Sequence, residues 1–204
     1  LSIRRQRQMC IRDRFLSLGK NFLTAYYRIT LSDPYEVVVC AEREDGIIVG
    51  FSSATLDAEK QAENLRNHKL KLGLAAVGAL LKRPFLLKEL WSRYKSLEAD
   101  DRAPKFIHNK GVRGEYWCWR KDMSEKSFLS VDMENVKDGI IYNLGYREIF
   151  FEVDKFNKSV YRYHEKVAKA EPIGSMILPD GRERVLFRKI LKPYKKYGLV
   201  TTDK

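Results

Sequence analysis

Apolar residues recur along this chain in two rhythms, one of about 3.6 residues and one of two. Leu18, Phe22, Leu23, Tyr26 and Ile29 fall at helical spacing, which predicts an amphipathic helix over 15–31 that ends before Asp33-Pro34. Two β-branched runs follow at 35–43 and 47–54, separated by Glu44-Asp45-Gly46, and read as a hairpin. Residues 57–98 carry no strand signal. Leu65, Leu72, Ala76, Ala79 and Leu80, then Phe85, Leu87, Leu90, Trp91, Tyr94 and Leu97, predict two helices broken at Pro84. Basic residues, among them Lys69, Lys71 and Lys82, stud the polar sides of this insert. It reads as packing against a sheet, or more sharply as a wall of an acceptor site or a membrane-surface patch.

The polar stretch 100–110 reads as a loop with His108 on the surface. A strand at 114–121 and a helix with Leu129, Met133, Val136, Ile140 and Leu144 on its apolar face come next, the helix stopping at Gly145. A buried strand at 149–153 then runs into a helix over 157–167, with Asn157 at its N-cap and Val160, His164 and Val167 on one face. A hairpin around Pro179-Asp180-Gly181 closes the pattern, and the basic end is expected to be a loose tail.

Size and content change this picture little. With 204 residues and 44% hydrophobic content, one folded domain is expected over 15–191, followed by the tail 192–204. No run of about 18 apolar residues occurs, so no transmembrane helix is expected; Leu70–Leu81 is too short and contains Lys71. No secretory signal is recognisable. Cys10, Cys40 and Cys118 lack metal-ligand spacing, which favours a reducing cytoplasm, no metal, and Cys40 and Cys118 as buried strand thiols.

Charge changes it more. The net charge is +12, and residues 1–14, with five Arg and one Asp, account for +4 of it. That segment resembles translated sequencing-adapter read-through and is set aside as non-native, with a basic arm for nucleic acid as the alternative. What remains favours anionic ligands, although a solvated basic surface explains it equally. No reader motif accompanies the charge, so no nucleic-acid partner is expected.

Three stretches carry a resemblance. FFEVDKFNKSVYRYHEK, residues 150–166, resembles the strand–Asn–helix signature V-x-x-x-N-x-x-A-x-x-x-Y-E-K of GNAT-type N-acetyltransferases, through Val153, Asn157, Val160, His164, Glu165 and Lys166. LGKNFLTAYY at 18–27 and the hairpin ending EREDGIIVGF are similar to the family's early helix and its second and third strands. The resemblance implies an α/β (α+β) fold: a mixed, mostly antiparallel central sheet with helices on both faces, plus a helical insert at about 57–98. It also implies that the family's first strand and most of its first helix lie upstream of Phe15. An edge left beside 35–43 would then favour association, possible homodimers included.

The resemblance further implies acetyl-CoA as co-substrate and an amine-bearing acceptor of unknown identity. Such chemistry needs backbone N–H groups for the pyrophosphate, a strand end parted from its neighbour for the pantetheine arm, and a proton donor for the departing thiolate. By comparison with the family, the phosphate loop falls at 125–130, where Glu125, Phe128 and Ser130 replace its Arg/Gln and two glycines. Lys126, Ser127 and Ser130 are the candidate replacements, and a plain capped helix that binds no phosphate is the alternative. Trp119, Arg120 and Asn157 are the candidate pantetheine contacts. Trp117 and Trp119 read as core ahead of a ligand wall, and Asn157 as a simple cap, a role it can fill at the same time.

For catalysis His164 stands at the family's acid position with Tyr163 beside it. Helical geometry sets the two about 100° apart, which keeps both from one spot. A structural His is the alternative. Glu42, Glu115 and Glu152 are the candidate bases, Glu152 being preferred. The functional reading is acyl transfer from acetyl-CoA to an amine. The alternatives are a non-catalytic binding module of the same fold and, last, a basic nucleic-acid binder.

Overall fold

A computed structural model describes residues 18–82, 108–120, 127–178 and 181–194. The expectations at 1–14, at Pro84 and its following helix, and at Lys126 lie outside the described residues. Helix α1 (Gly19–Leu31) leads into strands β1 (Glu36–Glu42) and β2 (Ile48–Thr55). Their turn closes through Gly46, at φ 78°, where a side chain would be strained. Helices α2 (Ala58–Asn67) and α3 (Lys69–Lys82) come next, then β3 (Arg113–Trp119) and α4 (Ser127–Asn143). Strand β4 (Glu148–Asp154), helix α5 (Lys158–Arg162) with a π-helical turn over Tyr163–Val167, and the hairpin β5 (Glu171–Ile177)–β6 (Glu183–Ile190) complete it.

The six strands form one sheet in the order β1-β2-β3-β4-β6-β5. Every neighbouring pair is antiparallel except β3 and β4. The fold class implied by the resemblance is the one observed. Strand β1 is an edge of the described sheet, as expected for 35–43.

Alternation along β2 separates the two faces. Ser53, opposite Val38 and Tyr116, looks toward α1; Ser52, opposite Val39 and Trp117, looks toward α4. Tyr26 of α1 meets Tyr116, and Gln61 of α2 meets Arg113 and Glu36, so α1–α3 cover the first face. The second face carries the main core of Ala54, Ile141, Ile149, Phe151, Val153 and Phe187 under α4 and α5.

Several expectations fail locally, each for a physical reason. The helix expected before Pro84 is interrupted at His68, where the ring Nδ1 meets the Asn64 carbonyl at 2.9 Å and α2 and α3 separate. The apolar stripe of α4 does not face inward as drawn: Met133 is buried, but Leu129 and Leu144 are exposed. Glu134, Lys137, Asp138 and Ile141 are buried instead. A hydrophobic pattern cannot register carboxylates and ammoniums that neutralise one another. Cys40 lies on the edge strand and is exposed rather than buried. The tail is anchored at its start, where the Tyr194 hydroxyl donates to Asp132 at 3.0 Å.

Candidate active site

Strands β3 and β4 run parallel and share one bridge, Arg113 with Phe150, where the Phe150 N–H donates to the Val112 carbonyl at 3.2 Å. Beyond that bridge they part. The outer edges of both strands remain paired, β3 with β2 and β4 with β6. Their facing edges toward Trp119 and Asp154 therefore have no ladder between them. Such an edge can take an extended amide-bearing ligand as a substitute strand.

One lip of this fork is aromatic. Trp117 packs against Tyr163 and His164, with ring centroids at 5.1 and 5.5 Å. The α-helix of α5 lasts five residues before widening, and the Ala168 N–H reaches back to the Tyr163 carbonyl. Both Tyr163 and His164 thereby meet the same indole, against the expectation that one spot cannot take both. Such single π turns often occur at functional sites.

His164 is 4% exposed, and its Nδ1 has no hydrogen-bond partner. Burial, then Lys189 and Lys137, push its imidazole down to about 3, so the ring is neutral at pH 7. That corrects the expectation of an imidazolium donor. Tyr163 is half-buried, and burial followed by Glu134 and Asp138 raises its phenol above the ordinary range. It keeps its proton at neutral pH.

Trp119 lies across Gly50, where a Cβ would come within 2.3 Å of the indole. Its Nε1 is buried without a partner, a donor with nothing to donate to. Arg120, beside it, is exposed, its N–H bound to the Val49 carbonyl at 2.8 Å.

The other face of the fork is acidic. A register shift between Ser53 and Ala54 leaves Glu115 as the extra residue of β3, turned toward Tyr26 and Tyr116. Arg113 donates to Glu115 and to Gln61, each at 2.9 Å, and Gln61 donates to Glu36 at 2.9 Å. Glu115 Oε2, Glu36 Oε1 and the Ser53 hydroxyl are buried and unpartnered. Burial, then Glu115, pushes Glu36 up to about 9, so it holds a proton at pH 7. The hydroxyls of Tyr26 and Tyr116 bond each other at 3.1 Å in the same cluster. At the base of the fork His108 stacks on Phe150 with centroids 3.9 Å apart. It is half-buried rather than a plain surface residue.

The remaining candidates are scattered around these two lips. Glu152 is held by Arg184 at 3.2 Å. Asn157 precedes α5 but is exposed and makes no side-chain cap bond. Ser127 begins α4, and Ser130 is buried with its carbonyl accepting the Trp117 indole N–H at 3.1 Å. Phe128 stands 84% exposed at that helix start, where the family's first glycine is expected. The fork and the orphan Trp119 donor fit a pantetheine arm. Among the described residues, the start of α4 offers a phosphate no cationic side chain in its first turn.

Sequence reasoning named Glu115 but missed Glu36, Ser53, Tyr26 and Tyr116. The in-out alternation of β1 and β2 placed Glu36 and Ser53 on one face, yet nothing in the pattern showed that a helix covers it.

No family model and no curated protein matches the sequence. Among solved structures the chain is similar to a probable GNAT-family acetyltransferase from Chromobacterium violaceum, at 9% identity and TM-score 0.43, over 81% of this chain and 64% of that one. It spans less than two thirds of that protein's length. It is also similar to a chimeric spermidine N-acetyltransferase from Vibrio cholerae, at 10% identity and TM-score 0.47, over 82% and 77% of the two chains. A putative acyl-CoA N-acyltransferase from Klebsiella pneumoniae matches at 10% identity and TM-score 0.42, over 88% and 90%.

Proposed function

We propose that this chain transfers an acetyl group from acetyl-CoA directly to an amine. The observation that carries the reading is the fork: two parallel strands joined at Arg113 and Phe150, with no further ladder pairing between them among the described residues. The pantetheine arm lies along the open edges, with the Trp119 indole N–H as donor to one of its carbonyls. Acetyl-CoA supplies the activated acyl group; the chain's own residues position it and move protons.

The acceptor amine enters from the acidic face. Its ammonium is held by the Glu115 carboxylate and by the carbonyl oxygen of the protonated Glu36 beside it. Glu115 takes one proton from the ammonium, which frees the nitrogen lone pair to attack the thioester carbonyl. The nitrogen's second proton leaves as the carbon–sulfur bond breaks and replaces the one that Tyr163 gives to the thiolate. The departing thiolate is protonated by Tyr163, a phenol that burial keeps neutral. His164, neutral and packed between Trp117 and Phe151, orients that pair. Glu152 acts through Arg184 rather than on substrate. A small amine-bearing metabolite suits a buried cluster of this kind.

Calorimetric titration with acetyl-CoA tests the first half of this reading: saturable heats are expected, and flat heats at millimolar ligand would discard it. The exposed Phe128 favours one second reading, a binding module of the same fold that no longer takes the coenzyme. Amine binding without acetyl-CoA binding would select it.

A further inference from the structure

Helix α3 is apolar on two sides. Leu72, Ala76 and Leu80 close one side against the α1 cluster of Leu18, Phe22 and Tyr26. On the other side Leu70, Leu74 and Leu81 are 77%, 75% and 80% exposed, and Val77 joins them. A Cβ built on Gly73 or Gly78 meets nothing within 4 Å, so among the described residues no other element rests on this side. At about 100° per residue the four apolar side chains share an arc of about 60°, and Lys69 and Lys71 stand about 100° to either side of Leu70. Both lysines are exposed.

The charge around the stripe is of one sign. Helix α3 contains no acidic residue, and the exposed Lys69 and Lys71 flank the stripe at its start. We propose that this face of α3 docks on an anionic lipid surface, the leucines entering the acyl boundary and the lysines meeting the headgroups. An apolar stripe collared by cations is the arrangement an interfacial helix needs. The helix has 14 residues, about 21 Å at 1.5 Å per residue, against about 30 Å of hydrocarbon. It therefore lies on a bilayer; among the described residues no helix is long and apolar enough to cross one.

A second copy of the chain is the weaker occupant. A two-fold contact through this stripe brings the lysines of two α3 helices toward each other, and α3 carries no acidic residue to pair them. An anionic headgroup layer supplies the missing charge.

The test is co-sedimentation of the full chain with phosphatidylcholine vesicles, with and without phosphatidylglycerol, at low and high salt. Binding is expected only to the anionic vesicles, weakening with salt. Leu74→Glu and Leu81→Glu are each expected to weaken it by about tenfold or more, with the circular dichroism spectrum and Tm unchanged because both side chains face solvent. Three results overturn the proposal. One is no vesicle binding; another is anionic binding that both variants leave intact, which is charge attraction alone. The third is a wild-type dimer that Leu74→Glu dissociates.

Discussion

Two buried polar clusters occupy opposite faces of the same sheet. Under α4, Lys137 donates to Glu134 at 2.6 Å and stands 3.4 Å from Asp138, while Lys189 donates to Asp138 at 2.6 Å. The Ser52 hydroxyl donates to Glu134 as well. Two cations answer two anions. Burial alone would push Lys137 down, but Glu134 and Asp138 outweigh it and hold its ammonium charged. Across the sheet, Glu36 and Glu115 share a cluster into which, among the described residues, Arg113 is the cation that reaches. Each of the two carboxylates keeps an oxygen without a partner. The first network is balanced by two ammoniums, with Asp138 Oδ1 at ion-pair distance from Lys137 but without a hydrogen bond, and it holds a helix in place. The second is balanced through the proton on Glu36, and at the base of a fork its unpartnered carboxyl oxygens are left for a substrate amine.

The largest effect is expected from breaking the network under α4. Lys137→Met leaves Glu134 and Asp138 buried against one remaining cation, and stability should fall by about 3–5 kcal/mol. Urea denaturation checks this. A loss below about 1 kcal/mol would mean that the network is solvated.

Across the sheet, Glu115→Gln takes the anion from the buried Arg113 guanidinium but leaves an amide oxygen to accept from it. Stability should therefore fall by a smaller amount, about 1–3 kcal/mol, while acetyl transfer falls by about 10²–10⁴-fold. Unaltered turnover would remove Glu115 from the chemistry. Conversely, a collapse of the fold would make this cluster structural like the other.

The pH dependence of stability sharpens the contrast, because the two faces should respond with opposite sign. His164, on the face under α4, has its folded pKa depressed to about 3 from the ordinary 6.5. The unfolded chain alone takes up the proton between these values, so stability is full above 6.5 and is lost as pH falls toward 3. His164→Phe should flatten this acid limb, worth on the order of 2–4 kcal/mol.

Glu36 has its folded pKa raised from 4.5 to about 9. The folded chain alone keeps the proton in that window, so this contribution is present below 4.5 and is lost as pH rises toward 9. Glu36→Gln should flatten the alkaline limb and stabilise the protein at pH 8 by on the order of 1–3 kcal/mol. Thermal melts from pH 4 to 9 read both limbs. A smaller effect is expected from Gly50→Ala: its Cβ would meet Trp119 at 2.3 Å, and overpacking costs about 1–3 kcal/mol. Acetyl-CoA affinity should fall with it if Trp119 holds the pantetheine arm.

Much of the fold was legible because local spacing and turn chemistry suffice for it. The hairpin at Gly46, the stop at Gly145 with φ 99°, and the strand over 149–153 follow from short-range patterns. The site was legible only in part. Asn157 and His164 stand where the resemblance places them in the chain, yet Asn157 is exposed and His164 is held neutral by burial. The cluster of Glu36, Ser53, Tyr26 and Tyr116 draws on four separate elements, and no window of sequence contains it.

The sequence by itself determined which stretches are strands and which are helices, though not the break at His68 or the π turn over Tyr163–Val167, since element type depends on φ preferences, β-branching and apolar period within a few residues. Tertiary structure alone decided which charges are buried and which are balanced. Charge interaction depends on distance in space and on exclusion of water, and neither is a property of neighbours along the chain. The same glutamate is a solvated surface group or a site for an amine, according to what packs above it.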